Sequence, residues 1–298
     1  MIEIGRLLTA MVTPFGADGG VDYDGAKRLA LALLDSGSDG LVVAGTTGES
    51  PTLTHEEKLR LFAAVKDAVG DRAAVIGNTG SNDTADSVAL TREAAATGID
   101  AVLAVVPYYN KPSQEGMFRH FEAIAGAAPL PCILYNVPSR TSANMTAETT
   151  IRLSHVANIA GTKEASNDLG QIGRIIEGAA DGFRVWSGAD EDTYPILALG
   201  GYGAVSVVSH LVGRQVHDMI EAAIAARRDE AARLHRRLQP LIAALFLTSN
   251  PVPLKYAMGQ VGFPVGGVRL PLCEPDEAPA EAIMAVVRRH KIDLPVAV

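Results

Sequence analysis

The sequence predicts an α/β fold: a (β/α)8 barrel (TIM barrel) with additional C-terminal helices. Three observations carry this. Short apolar runs recur eight times, each followed by a longer stretch of helical periodicity. The runs are continuously apolar and do not alternate, which suits strands buried on both faces of a parallel sheet. The 298 residues, 48% of them apolar, suffice for a barrel folding as one unit, whereas a doubly wound open sheet seldom needs eight such units.

In chain order the strand candidates are residues 7–12, 41–44, 73–76, 101–106, 132–135, 159–161, 183–186 and 204–208. Thr54 followed three residues later by Glu57 predicts a capping box, with helix running to about Val69. Asp22, Thr84, Ser113 and Thr146 are further cap candidates. Residues 195–213 form the most apolar long stretch, but Gly200, Gly201, Gly203 and His210 interrupt it. It reads as helix, turn and buried strand, with no membrane span. Beyond Ser209 the composition changes. Arg227, Arg228, Arg233, Arg236 and Arg237 mix with Asp229 and Glu230 along a long helix, the pattern of a solvated face. The expected organisation is a catalytic barrel over residues 1–225 and a helical extension over 226–298, broken at 250–253 and resuming near Leu254.

Charge and cysteine content exclude several classes. With 26 basic and 34 acidic residues the net charge is 26 − 34 = −8, opposite to a nucleic-acid footprint. Cys132 and Cys273 stand far apart, which fits neither a disulfide framework nor a cysteine-rich metal site, and a reducing cytoplasm is expected. Glu3 lies where a signal peptide would be basic, and no long apolar segment follows it.

Active sites of such barrels lie at the C-terminal ends of the strands. The sixth run ends in Gly161-Thr162-Lys163-Glu164, and Lys163 is the one lysine of seven inside a segment read as core strand. Loss of hydration favours its neutral amine, which can attack a carbonyl to form a Schiff base. A lysine ending a strand and snorkelling to water is the competing reading, so its neighbours decide. Strand two ends in Gly45-Thr46-Thr47-Gly48-Glu49-Ser50, whose amides and hydroxyls can converge on a carboxylate or can simply form a tight turn. Strands four and five deliver Tyr108-Tyr109 and Tyr135, hydroxyls able to relay protons or to pack in a core. Arg140 follows in a polar loop, either clamping a carboxylate or solvated. Strand seven ends in Ser187-Gly188-Ala189-Asp190. The acids Asp190, Glu191 and Asp192 read as a helix start, and no His/Cys/Asp set has metal-ligand spacing, so no metal is expected.

Assembled, these residues resemble the dihydrodipicolinate synthase family of the pyruvate-dependent class I aldolases. The similarity runs through Thr9–Pro14, Gly45–Ser50, Pro107–Tyr109, Tyr135–Thr141, Gly161–Ala165 and Asn250–Lys255. It implies a Schiff base between Lys163 and pyruvate, without a cofactor. It implies a proton relay of Tyr135, Thr46 and Tyr109, the last reaching in from a neighbouring subunit of a homotetramer built as a dimer of dimers. Thr47, Gly188 and the Val205 carbonyl would bind pyruvate, and Arg140 the carboxylate of L-aspartate 4-semialdehyde. The product would be 4-hydroxy-tetrahydrodipicolinate, on the route to diaminopimelate and lysine. In sialic acid lyases, by contrast, the arginine position is not kept. Alternatives are a lyase for N-acetylneuraminate or 2-keto-3-deoxy sugar acids, or a non-catalytic carboxylate-binding barrel. Two departures stand out. Ser142 occupies a place where many relatives have glycine. Ser50, His55, Asn82 and Tyr108 match a lysine-effector site, but Lys58 replaces a usual histidine and Asp86 a usual glutamate. Like-charge repulsion at Lys58 predicts weak or absent inhibition by lysine.

Overall fold

The structure, a computed structural model, describes residues 3–295. Eight parallel strands close a barrel in sequence order: β1 Leu7–Ala10, β2 Gly40–Val43, β3 Ala74–Asn78, β4 Ala101–Val105, β5 Cys132–Asn136, β6 Ile159–Glu164, β7 Arg184–Ser187 and β8 Gly203–Ser206. β1 pairs with both β2 and β8, so no strand edge is left open. Helices alternate with the strands and cover the outside. The capping box forms as expected: Thr54 Oγ1 accepts from the Glu57 amide, and Glu57 accepts from the Thr54 amide, opening helix His55–Val69.

Strand boundaries differ from the apolar runs where chemistry, not hydropathy, decides. β6 extends three residues beyond the apolar run that ends at Gly161, with Lys163 inside the strand next to its last residue, as expected. Thr162, Lys163 and Glu164 are polar yet buried, which an apolar-run criterion cannot detect. β3 likewise continues through buried Asn78, and β1 and β8 stop two residues early as the chain turns into loops. Thr84 is not a cap. Asp83 takes that place, its carboxylate accepting from the Ala85 and Asp86 amides, while the Thr84 hydroxyl bonds His120. The acids at 190–192 also differ: they form a 3-10 turn before helix Thr193–Ala198, and Asp190 points inward instead of complementing the helix dipole.

The C-terminal helices Arg228–Leu245, Val252–Gln260 and Glu277–Val287 follow helix Ser209–Ile224. Leu238, Leu241, Leu254, Met258 and Ile283 join the same apolar core as the barrel strands, so the extension is packed onto the barrel without a break. Arg233, Arg236 and Arg237 are exposed, the solvated face anticipated. Among the described residues no helix is long and apolar enough to cross a membrane.

Candidate active site

Parallel pairing sets the first pair of groups. Tyr135 on β5, Lys163 on β6 and Trp186 on β7 stand in one register row. Alternation along β6 then sends Lys163 and Glu164 to opposite sides of the sheet. The Lys163 Nζ lies over the Tyr135 ring, 4.2 Å from its centroid. The stem of Lys163 passes Gly188, where any Cβ would come within 2.9 Å of Lys163 Cγ and 3.1 Å of the Glu164 carbonyl oxygen. Glycine at 188 is thus a steric requirement of the lysine's path.

The loop after β2 is held by its backbone and by distant side chains. Glu49 N donates to Thr46 O and Ser50 N to Gly45 O, and Ala44 and Glu49 both adopt positive φ. A Cβ on Gly48 would press to 3.0–3.1 Å against Ala44 and the Met11 carbonyl, so this close approach needs glycine. Thr13 Oγ1 donates to Gly48 O at 2.6 Å. From the C-terminal extension, Asn250 Nδ2 donates to Thr47 Oγ1 at 2.9 Å, and Lys255 Nζ donates to Glu49 Oε1 and Thr13 O, each at 2.9 Å. The Arg269 amide donates to Glu49 Oε2.

After β5 the chain makes a short helical turn, Pro138–Thr141, that carries Arg140 and closes at Ser142 with φ 56°. That left-handed conformation is one glycine adopts freely, so serine here carries a local strain of about 1 kcal/mol. Asn136, whose amide bonds Asn144 Oδ1 and whose carbonyl oxygen accepts from Met145 N, fastens the far end of the loop.

These elements enclose a cavity of about 170 Å³ lined by Thr46, Thr47, Tyr135, Arg140, Lys163 and Gly188, with Asn250, Phe246 and Val207 completing the wall. At about 30 Å³ per liquid water, that is room for a small acid. Two candidate residues are not part of this wall in the single chain. Val205 is buried in β8, where it pairs with Leu8, and Tyr109 is 89% exposed with φ 73°.

Electrostatics of the cavity follow from burial. Desolvation is the largest effect on Lys163 and brings its amine down to about 8; Asp190 opposes the shift and Arg140 reinforces it. Burial raises the Tyr135 phenol, moderated by Arg140 and Thr46. Asp190, raised chiefly by burial, accepts from the Val207 and Val208 amides through Oδ2 and so fixes the loop after β8. His210 is structural: Nε2 accepts from Val12 N while Nδ1 faces Val207 O, the pattern of a neutral ring, and burial lowers it to about 4. Glu164, outside the cavity, bonds Ser166 and Gln171 and is pushed up to about 7 by burial. No group of acids, histidines and cysteines among the described residues is placed to hold a metal ion.

A second cavity of about 580 Å³ shares the wall of Thr46, Val137 and Arg140. Ser50, His55, Lys58, Asn82, Asp86 and Tyr108 line it, and His55 pairs with Asp86 at 2.9 Å. The contacts of Asn250, Asp190 and Glu164 escape a reading of strand ends. The one visible signal is the placement of Asn250 directly before Pro251, at the break between two helices.

The sequence profile of the Dihydrodipicolinate synthetase family matches residues 3–290. A 4-hydroxy-tetrahydrodipicolinate synthase of Dehalococcoides mccartyi (strain CBDB1) is 58% identical over 296 residues, covering 99% of this chain and 100% of the relative. A dihydrodipicolinate synthase structure from Bacillus anthracis superposes with TM-score 0.95 at 45% identity, covering 97% of this chain and 99% of that one. A structure from Cyanidioschyzon merolae with lysine bound superposes with TM-score 0.94 at 46% identity, covering 97% and 98%.

Proposed function

The chain belongs to the dihydrodipicolinate synthetase family, and from that premise we propose that it is a lyase-class synthase condensing pyruvate with L-aspartate 4-semialdehyde to give 4-hydroxy-tetrahydrodipicolinate. The observation that carries this reading is a buried amine, Lys163, lowered to about 8 and set in one cavity with Tyr135, Thr46, Thr47 and Arg140.

The neutral Lys163 Nζ adds to the pyruvate ketone, and loss of water leaves the iminium. The methyl group then gives up a proton and the enamine forms, with the imine nitrogen as electron sink. Its terminal carbon attacks the aldehyde, whose oxygen takes a proton. The amine of the second substrate displaces Lys163 by transimination, closing the six-membered ring and freeing the lysine. No cofactor enters this sequence.

Thr47 and the amides of the Gly45–Ser50 loop hold the pyruvate carboxylate, with Gly188 and the Val205 carbonyl beside it. Tyr135 and Thr46 move protons, and Tyr109 completes the relay from a neighbouring subunit. Its 89% exposure in the single chain accords with that role and with a homotetramer of paired dimers. Arg140 clamps the second carboxylate. The barrel carries the chemistry and the C-terminal helices Arg228–Leu245, Val252–Gln260 and Glu277–Val287 buttress it, in a cytoplasmic enzyme of lysine and diaminopimelate synthesis.

Incubation with pyruvate followed by borohydride reduction and mass mapping tests the first half, the adduct being expected on Lys163. Turnover with aspartate semialdehyde tests the second. If Arg140→Ala leaves that turnover intact, the synthase reading falls.

A further inference from the structure

We propose that Asn250, between helices Arg228–Leu245 and Val252–Gln260, is a positioning residue that sets the direction of the Thr47 hydroxyl so that its proton faces the substrate carboxylate. The inference rests on the keto-acid reading above and deepens it.

The argument is one of donors and acceptors. An amide nitrogen has hydrogens to give and no lone pair to accept with. Because Asn250 Nδ2 donates to Thr47 Oγ1 at 2.9 Å, that oxygen is used as an acceptor, and the threonine's own proton must point elsewhere. No protein acceptor for it occurs among the described residues. Thr47 is 3% exposed, and the open space beside it is the cavity that it lines together with Asn250 and Lys163. A buried hydroxyl with its proton aimed into a cavity is a preset donor for an anion and needs no reorganisation when that anion arrives.

The amide itself is buried and, among the described residues, bonds Thr47 alone. Asn250 is 6% exposed, and its Oδ1 is buried without a protein partner. Five residues on, Lys255 N bonds Pro251 O, and the Lys255 side chain grips Glu49 at the far end of the Thr47 loop. One C-terminal segment therefore fixes both the loop and the polarity of its hydroxyl. Were the amide turned end for end, Oδ1 would accept the Thr47 proton and the cavity would lose its donor.

Borohydride trapping of pyruvate, titrated in pyruvate, tests this on the full chain. Asn250→Ala is expected to raise the half-saturating pyruvate concentration about tenfold while Lys163 still labels fully at saturation, as loss of an oriented bond to a charged group requires. In a Thr47→Val background Asn250→Ala should add nothing, since both act through one hydroxyl. Asn250→Asp, nearly isosteric and able only to accept, should weaken pyruvate at least as much as Asn250→Ala, and it keeps the test open if the alanine variant folds poorly. Wild-type half-saturation in Asn250→Asp, or an alanine effect that adds in full to that of Thr47→Val, overturns the inference while leaving the keto-acid reading intact. Absence of any Lys163 adduct in the wild-type chain overturns the reading, and the inference with it.

Discussion

Lys163 and Tyr135 face each other across adjacent strands, the amine 4.2 Å from the centre of the phenol ring. The ring face favours the ammonium, by about 0.5–2 kcal/mol in comparable settings. Burial nevertheless wins, since the amine sits near 8, well below its ordinary value. The pair thus keeps an amine of lowered basicity beside a phenol.

The pH dependence of Schiff-base formation follows from that balance. The neutral fraction of Lys163 grows as pH rises through about 8, so the initial trapping rate with pyruvate should climb up to that point and flatten above it. Arg140 lowers the amine, so Arg140→Met should move the profile to higher pH. For stability, a base with a lowered folded value binds its proton more weakly folded than unfolded. Below about 8 both states are protonated and the folded chain bears the full cost of the buried ammonium. That cost is relieved between there and the unfolded value of about 10.4, so this group's contribution to stability rises with pH in that window. Stopped-flow trapping in both chains checks the kinetic part.

Gly188→Ala should injure the site directly. The added methyl meets Lys163 Cγ at 2.9 Å and Ala165 Cβ at 3.0 Å. Overpacking of about 1–3 kcal/mol is expected in urea unfolding, and displacement of the lysine should slow trapping by about tenfold or more. Trapping at the wild-type rate would mean that the stem can follow another path.

Lys255 and Glu49 form an ion pair with side chains 2% and 1% exposed. Burial lowers the Lys255 amine, and Glu49 is the main opposing influence. Lys255→Met strands a buried carboxylate and should cost about 3–5 kcal/mol, whereas adding Glu49→Gln should recover much of that. Denaturant midpoints of the two variants decide it; equal midpoints would show that the charge on Glu49 is met by another group.

Inhibition by lysine should be weak. Lys58 lines the second cavity with its amine lowered by burial and partly supported by Asp86, while that carboxylate is already paired with His55. A cationic amino acid arriving there meets a cation and finds the acid engaged. Steady-state assays with added lysine should show no inhibition below millimolar concentrations. Lys58→His combined with Asp86→Glu should strengthen inhibition about tenfold.

The barrel was legible because parallel strands covered on both faces must be apolar, and the runs at Leu41, Ala101 and Cys132 left little choice. Lys163 was legible as a polar residue attached to such a run. Its strand reads short because Thr162 and Glu164 are polar yet buried, and hydropathy cannot register that. Asp190 escapes the sequence for a related reason. Helix-opening acids and loop-latching acids look alike in sequence, and only the inward turn toward the Val207 and Val208 amides separates them. Asn250 lies 203 positions from Thr47, and no local pattern encodes such a meeting.

That the Lys255–Glu49 link spans 206 positions has a bearing on synthesis in the cell. In a growing polypeptide all of β1 to β8, which end at Ser206, and Lys163 with them are synthesised before Lys255. Until then Glu49 lacks the cation it meets in the fold, and the Gly45–Ser50 loop lacks that anchor. Lys163 is therefore synthesised early, and the loop across the cavity from it is anchored only when the last helices dock.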